Sequence, residues 1–194
     1  LMQLEIEDRD LLNKEDIMIN IYGMDLLPGS IVLASTELFL INATCREQIL
    51  KTVLAKYKKD YDYILIDCGP SLGMLTINAL TAADSVIIPE AEYLSAKGME
   101  LLLRSVAMTK RKLNPSLKID GILITRVDKR NNLSGQIIKM VRDAYESLNI
   151  FDSQIPERIA VGKSLSKHEL VAGFEKNSDA AIAYKKLAQE VLAK

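Results

Sequence analysis

Apolar residues along the chain gather in short uninterrupted runs that alternate with segments of helical spacing. Tyr63-Ile64-Leu65-Ile66 ends at Asp67, Ser85-Val86-Ile87-Ile88 ends at Pro89, Ile119 to Thr125 carries Gly-Ile-Leu-Ile-Thr, and Phe151 to Ile155 ends at Pro156. Met24-Asp25-Leu26-Leu27, before Pro28-Gly29, is a fifth candidate. Runs without apolar–polar alternation predict parallel strands covered on both faces. Between them, Thr44-Cys45-Arg46-Glu47 has the spacing of a helix capping box, and Ile49, Val53 and Tyr57 follow at helical intervals. Met99, Leu102, Leu103, Val106 and Leu113 form a second stripe, and Ile137, Ile138, Val141, Ala144, Tyr145 and Leu148 a third. A last helix is predicted from Ser178 to Leu192, with Ile182, Leu187, Val191 and Leu192 on its inner side. The stretch from Ala160 to Asn177, with two glycines and several Lys, Ser and Glu residues, is predicted as the longest loop. Strand and helix in repeated succession give an α/β class with a doubly wound, mostly parallel sheet. With no internal repeat and no linker composition, residues 1–194 read as a single domain.

Composition narrows the function little. Twenty-five Lys plus Arg against 26 Asp plus Glu leave a net charge of −1, so nucleic-acid binding would need a local basic patch. The two cysteines, Cys45 and Cys68, have neither metal-ligand spacing nor a disulfide framework, which suits a reducing cytoplasm. The most apolar stretch, Ile31 to Ile41, falls short of the ~20 residues of a membrane-spanning helix and contains Glu37. The opening Leu-Met-Gln-Leu-Glu-Ile-Glu-Asp has no signal-peptide core, and its amphipathic start predicts a chain entered part-way through a domain.

The most informative segment is Tyr61-Asp62-Tyr63-Ile64-Leu65-Ile66-Asp67-Cys68-Gly69-Pro70-Ser71-Leu72-Gly73. A buried parallel strand delivers a carboxylate to its C-terminal edge, where ligands of open α/β sheets bind, and a turn and a helix follow. Four apolar residues and then Asp is the Walker B arrangement, whose carboxylate can hold Mg²⁺ through water beside a turn that responds to the γ-phosphate. Spacing alone equally allows an Asp that caps the next helix.

The same segment resembles the ParA/Soj group of MinD-like partition ATPases, in which this region typically reads Asp-Tyr-Ile-Ile-Ile-Asp-Cys-Pro-Pro-Ser-Leu-Gly. The likeness continues through Leu75-Thr76-Ile77-Asn78-Ala79-Leu80, Ala83-Asp84-Ser85-Val86-Ile87-Ile88-Pro89, Glu92-Tyr93, Ala96-Lys97-Gly98, Gly121-Ile122-Leu123-Ile124-Thr125 and Ile155-Pro156. It covers Asp25 to the C-terminus. The resemblance implies a P-loop ATPase fold of the deviant Walker class, with Asp67 catalytic and on the Mg²⁺ side. It places Asp67, Gly69 and Pro70 at the phosphate end of ATP, and Thr125, Asp128, Pro156 and Glu157 at the adenine end. It further implies an ATP-dependent homodimer that binds DNA nonspecifically, a centromere-binding ParB-like partner that stimulates hydrolysis, and no membrane association. The expected location is the cytoplasm, on the nucleoid.

The departures are as specific. Family members open with a strand, a Lys-Gly-Gly-Val-Gly-Lys-Thr-Thr loop and a helix, then a strand ending Asp-x-Asp-Pro-Gln, and residues 1–194 contain neither. The resemblance therefore implies an N-terminally incomplete sheet, with the edge of Tyr63 to Asp67 unpaired and its Ile and Leu side chains exposed. Gly69 stands where the family has Pro, and one residue is missing between Pro89 and Glu92. Gly162-Lys163-Ser164 imitates the end of a phosphate loop, but the first glycine of that motif would fall on Glu157. Lys110-Arg111-Lys112, Lys129-Arg130, Lys163 and Lys167 are the candidate DNA contacts, and His168 is expected to be exposed and inert. Two other readings stay open: a non-hydrolysing remnant that dimerises or meets a partner, and an ATP-dependent amide-forming or biotin-pathway synthetase.

Overall fold

A strand with apolar side chains on both faces needs a helical layer on each side, and among the described residues the second half of the chain supplies both. The computed structural model describes residues 19–21, 24–26, 40–69, 71–91, 96–128, 139–167 and 169–194. The chain divides into two compact units, Leu1–Ala82 and Ala83–Lys194.

In the first unit, β1 (Ile19–Ile21) and β2 (Met24–Leu26) pair antiparallel, Ile19 opposite Leu26 and Ile21 opposite Met24. Only Tyr22 and Gly23 separate them, and a connection that short permits antiparallel pairing alone, so Met24–Leu26 is not the parallel strand expected. Leu27, Pro28 and Gly29 lie outside the described residues. A short 3₁₀ turn, Arg46–Gln48, leads into α1 (Ile49–Ala55), and α2 (Met74–Ala82) follows. The expected capping box does not form. Cys45, in the left-handed region at φ 52°, takes the N-cap position without a side-chain bond, and Glu47 pairs with Arg46 at 3.1 Å. The buried face of this unit comprises Leu40, Leu50, Ala79 and Leu80, with Thr76, Asn78 and Thr81.

In the second unit, β3 (Ser85–Ala91) and β4 (Lys118–Thr125) pair in parallel, joined through α3 (Ala96–Lys112). Gly121, at φ +154°, sits where the register shifts, and Asn149 and Phe151 pack where its side chain would be. A third strand position runs alongside β4 through parallel bridges Ile122–Ile150 and Val127–Pro156. The expected run Phe151–Ile155 is paired only at its ends. Phe151 N–H donates to Ile122 O and Ile155 N–H to Ile124 O, so four residues span two of β4. The amides of Asp152 and Ser153 turn instead to the Glu190 carboxylate, at 3.1 and 2.9 Å.

Side chains then sort by alternation. Ile88, Ile122, Ile124 and Val127 face Met99, Leu102 and Leu103 of α3 together with Val141, Tyr145 and Leu148. Leu123, Phe151 and Ile155 face α6 (Asp179–Leu192) through Ala183, Leu187 and Val191. Helices on both faces of a parallel sheet make this unit doubly wound. Ala144 of the third stripe is exposed, Ile137 and Ile138 lie outside the described residues, and Ile182 and Leu192 point outward, so the inner face of α6 follows the i, i+4 series Ala183–Leu187–Val191. The segment expected as a loop from Ala160 to Asn177 instead holds α4 (Ile159–Ser166) and α5 (Val171–Phe174). Neither Gly162 nor Gly173 marks a close approach, and single glycines lower helix stability by only about 1 kcal/mol.

Candidate functional site

Asp67 lies on an irregular stretch, residues 61–69, that joins no strand among the described residues. Its apolar neighbours are open, with Leu65 90% exposed and Tyr63 and Ile64 also exposed. Asp67 and Gly69 are exposed too, and nothing crowds the position of a Gly69 side chain, so the site does not require glycine there. Pro70 lies outside the described residues. The turn beyond is tied by local bonds: Gly73 N–H donates to Ser71 Oγ at 3.2 Å, and Thr76 Oγ1 donates to Ser71 O at 2.5 Å. Burial, then the charge of Asp67, pushes the Cys68 thiol above its ordinary value, the opposite of an activated nucleophile.

The adenine-side candidates meet at the C-terminal end of the second unit's sheet. Thr125 closes β4 and donates its hydroxyl to Glu90 O at 3.1 Å, leaving its oxygen able to accept. Asp128 is half-buried three residues beyond the strand end, and Pro156 is buried beside Val127. Glu157 N–H donates to Val127 O, and its exposed carboxylate pairs with Arg126 at 3.0 Å. Arg158 forks onto both oxygens of Asp179 at 3.0 and 2.5 Å, fixing the loop after Pro156 to the first turn of α6. Thr125, Asp128, Pro156 and Glu157 therefore share one strand-end corner, while Asp67 and Gly69 belong to the other unit.

A family profile described as AAA domain matches residues 1–119. The sporulation initiation inhibitor protein Soj of Bacillus subtilis (strain 168) is 40% identical over 172 residues, covering 88% of this chain and 68% of Soj. The chromosome-partitioning ATPase Soj of Treponema pallidum (strain Nichols) is 36% identical, covering 90% of this chain and 69% of that protein. The chain belongs to the ParA/Soj family. Among solved structures, cobyrinic acid a,c-diamide synthase from Mycobacterium smegmatis with bound ADP and magnesium superposes with a TM-score of 0.78 at 35% identity, over 92% of this chain and 66% of that one. The chain spans about two thirds of the length of each of these relatives.

For a ParA/Soj chain, the fit to Mg²⁺ and nucleotide can be judged from the donors present. Among the described residues no three acidic, histidine or cysteine side chains converge as a metal cage. A single exposed carboxylate suits Mg²⁺, which keeps several waters and binds through one or two carboxylates plus phosphate oxygens. Asp67 therefore fits an ion carried in with a phosphorylated ligand. Gly162-Lys163-Ser164 supplies no cradle, because it lies inside α4, where Lys163 O accepts from Lys167 N–H and Ser164 Oγ donates to Val161 O. Lys110, Arg111 and Lys112 are exposed at the end of α3, as are Lys163 and Lys167, the last over the Phe174 ring at 4.9 Å. Lys129, Arg130 and His168 lie outside the described residues. No described helix is long and apolar enough to cross a membrane. Arg126, inside the stretch from Thr125 through Asp128 that the resemblance assigns to the adenine end, adopts φ 57° and reaches Glu157. Nothing in its residue type announces that conformation.

Proposed function

We propose that the protein is a ParA-type partition ATPase, in which ATP and Mg²⁺ drive homodimerisation and nonspecific DNA binding, and a ParB-like centromere-binding partner triggers hydrolysis. Residues 1–194 form part of one such ATPase domain, working in the cytoplasm on the nucleoid. The observation that carries this reading is the 40% identity to Soj over a span that includes the Asp67 segment and the turn opening α2.

In this reading Asp67 is the catalytic and metal-side residue. Its exposed carboxylate would hold Mg²⁺ through water. Bound Mg²⁺ supplies charge neutralisation for phosphoryl transfer. Gly69, Pro70 and the residues Ser71 to Gly73 serve as the phosphate-facing switch. Thr125 and Asp128 offer polar atoms to the base edge, Pro156 gives it an apolar wall, and the Arg126–Glu157 pair sets the far side. The exposed lysines and arginines at the end of α3 offer phosphate contacts for DNA.

ATP turnover by the product of the uninterrupted reading frame tests the proposal. Hydrolysis stimulated by duplex DNA and a ParB-like partner supports it. The name of the Mycobacterium smegmatis structure favours one competitor, an amide synthase, which would instead require glutamine or ammonia and an acceptor acid for turnover. No hydrolysis under either condition, with partner binding retained, would establish the non-hydrolysing module. Residues 1–194 alone, which contain no Gly-x-x-x-x-Gly-Lys loop, are expected to show no micromolar Mg²⁺–ATP binding by calorimetry.

A further inference from the structure

Helix α1 begins without a cap of its own: Gln48 holds the N-cap position and makes no side-chain bond. The missing acceptor comes from the middle of another helix. Asn78 Oδ1 accepts from Leu50 N–H at 3.1 Å, while Asn78 Nδ2 donates to Arg46 O at 2.7 Å and to Met74 O at 3.0 Å. Both donors and the carbonyl are engaged on a side chain only 4% exposed. Asparagine is a mediocre helix former, and α2, Met-Leu-Thr-Ile-Asn-Ala-Leu-Thr-Ala, has no local need of one. Its long-range bonds are what this residue adds.

Those bonds join the two helices that bracket the Asp67 segment. From α1 the chain passes through turns at residues 56–60 into the irregular stretch 61–69, and α2 receives it after Ser71–Gly73. The Thr76–Ser71 bond ties that turn to α2 directly. We propose that Asn78 is a positioning residue for Asp67: by locking the start of α1 to the body of α2, it fixes both ends of the span that carries Asp67 and the phosphate-facing turn. The inference rests on the metal-side role of Asp67 proposed above. The buried apolar side chains Leu50, Ala79 and Leu80 are untouched when the lock is removed, so the expected loss is of placement more than of the fold.

Two arms test it. In the full-length protein, Asn78→Asp keeps the acceptor for Leu50 N–H but loses both donors. It should lower kcat about 10-fold or more and raise the Mg²⁺ concentration for half-maximal rate, with the KM for ATP within about threefold of the parent. In the 194-residue chain carrying Cys45→Ser, Cys68 is the sole thiol, next to Asp67. There Asn78→Leu and Asn78→Asp should each change the iodoacetamide rate of Cys68 at fixed pH by about fivefold, with amide exchange at Ile122–Ile124 as in the parent. A Cys68 rate within about twofold of the parent in both variants, alongside lost protection of the Leu50 amide, overturns the proposal and leaves Asn78 a helix cap only. An unchanged Mg²⁺ dependence, with kcat falling only as the melting temperature falls, also overturns it. A parent that hydrolyses no ATP refutes the proposed function instead, and the thiol arm still decides the role of Asn78.

Discussion

The same three residues occur twice in this chain with opposite fates. Ile122-Leu123-Ile124 is buried, at 0%, 7% and 2% exposure, whereas in Ile64-Leu65-Ile66 the central leucine is 90% exposed. Composition cannot explain the difference. Ile122 and Ile124 have β3 on one edge and residues 149–156 on the other, with helices over both faces. Ile64–Ile66 has no strand pairing among the described residues. Burying an Ile or Leu side chain is worth about 1.5–3 kcal/mol, a gain the second unit takes from its whole triplet and the first unit forgoes most plainly at Leu65. An apolar run permits a buried strand, and the neighbours on its edges decide whether it becomes one.

The largest expected effect lies where the paired triplet meets its third strand. A Gly121→Ala side chain would meet Asn149 Nδ2 and O, both at 2.7 Å, from a backbone at φ +154°. Overpacking and strain together predict a loss of about 3–5 kcal/mol by urea denaturation. Parental stability would mean that the β4 bulge relaxes freely. Next comes the direct comparison: Ile122→Ala should cost about 2–5 kcal/mol, and Ile64→Ala less than about 0.5 kcal/mol. Equal losses would show that Ile64 is buried in solution and would break the contrast between the two runs.

A smaller effect separates the two units by pH. Desolvation opposes the charged Glu190, but the Ser153 hydroxyl, the Asp152 and Ser153 amides and the Lys186 charge hold its carboxyl below the usual glutamate value. A lowered folded value contributes stability that is present above the unfolded value and lost as pH falls through the folded one. Glu190→Gln should therefore cost the second unit at most about 1 kcal/mol near neutrality and flatten its acid-side decline, leaving the first unit unaffected. An unchanged acid limb in chemical denaturation would remove Glu190 from that role.

Much of the second unit was legible in the sequence because its signals are local. Val86 to Ile88 and Ile122 to Ile124 read as doubly covered strands, and Met99, Leu102 and Leu103 as the helix face above them. Tyr63 to Ile66 carried the same signal and pairs with no strand among the described residues, since pairing is a property of distant segments. Residues 160–177 read as a loop because glycine and charge outweighed a weak helical period, yet α4 and α5 form there. Asp67 stood out by its place after an apolar run. Asn78 did not, because it acts on an amide 28 positions earlier, and the left-handed backbone of Arg126, inside the stretch from Thr125 through Asp128, is announced by no residue type.

In the proposed function, Asp67 holds the metal side of an ATP-hydrolysing site. Steady-state hydrolysis by the full-length protein carrying Asp67→Ala tests it most directly, with DNA and partner present and folding verified by an unchanged melting curve. The account predicts a fall in kcat of about 100-fold or more, as expected when a transition-state charge loses its organised support. Turnover at the parental rate would contradict it and remove Asp67 from the site.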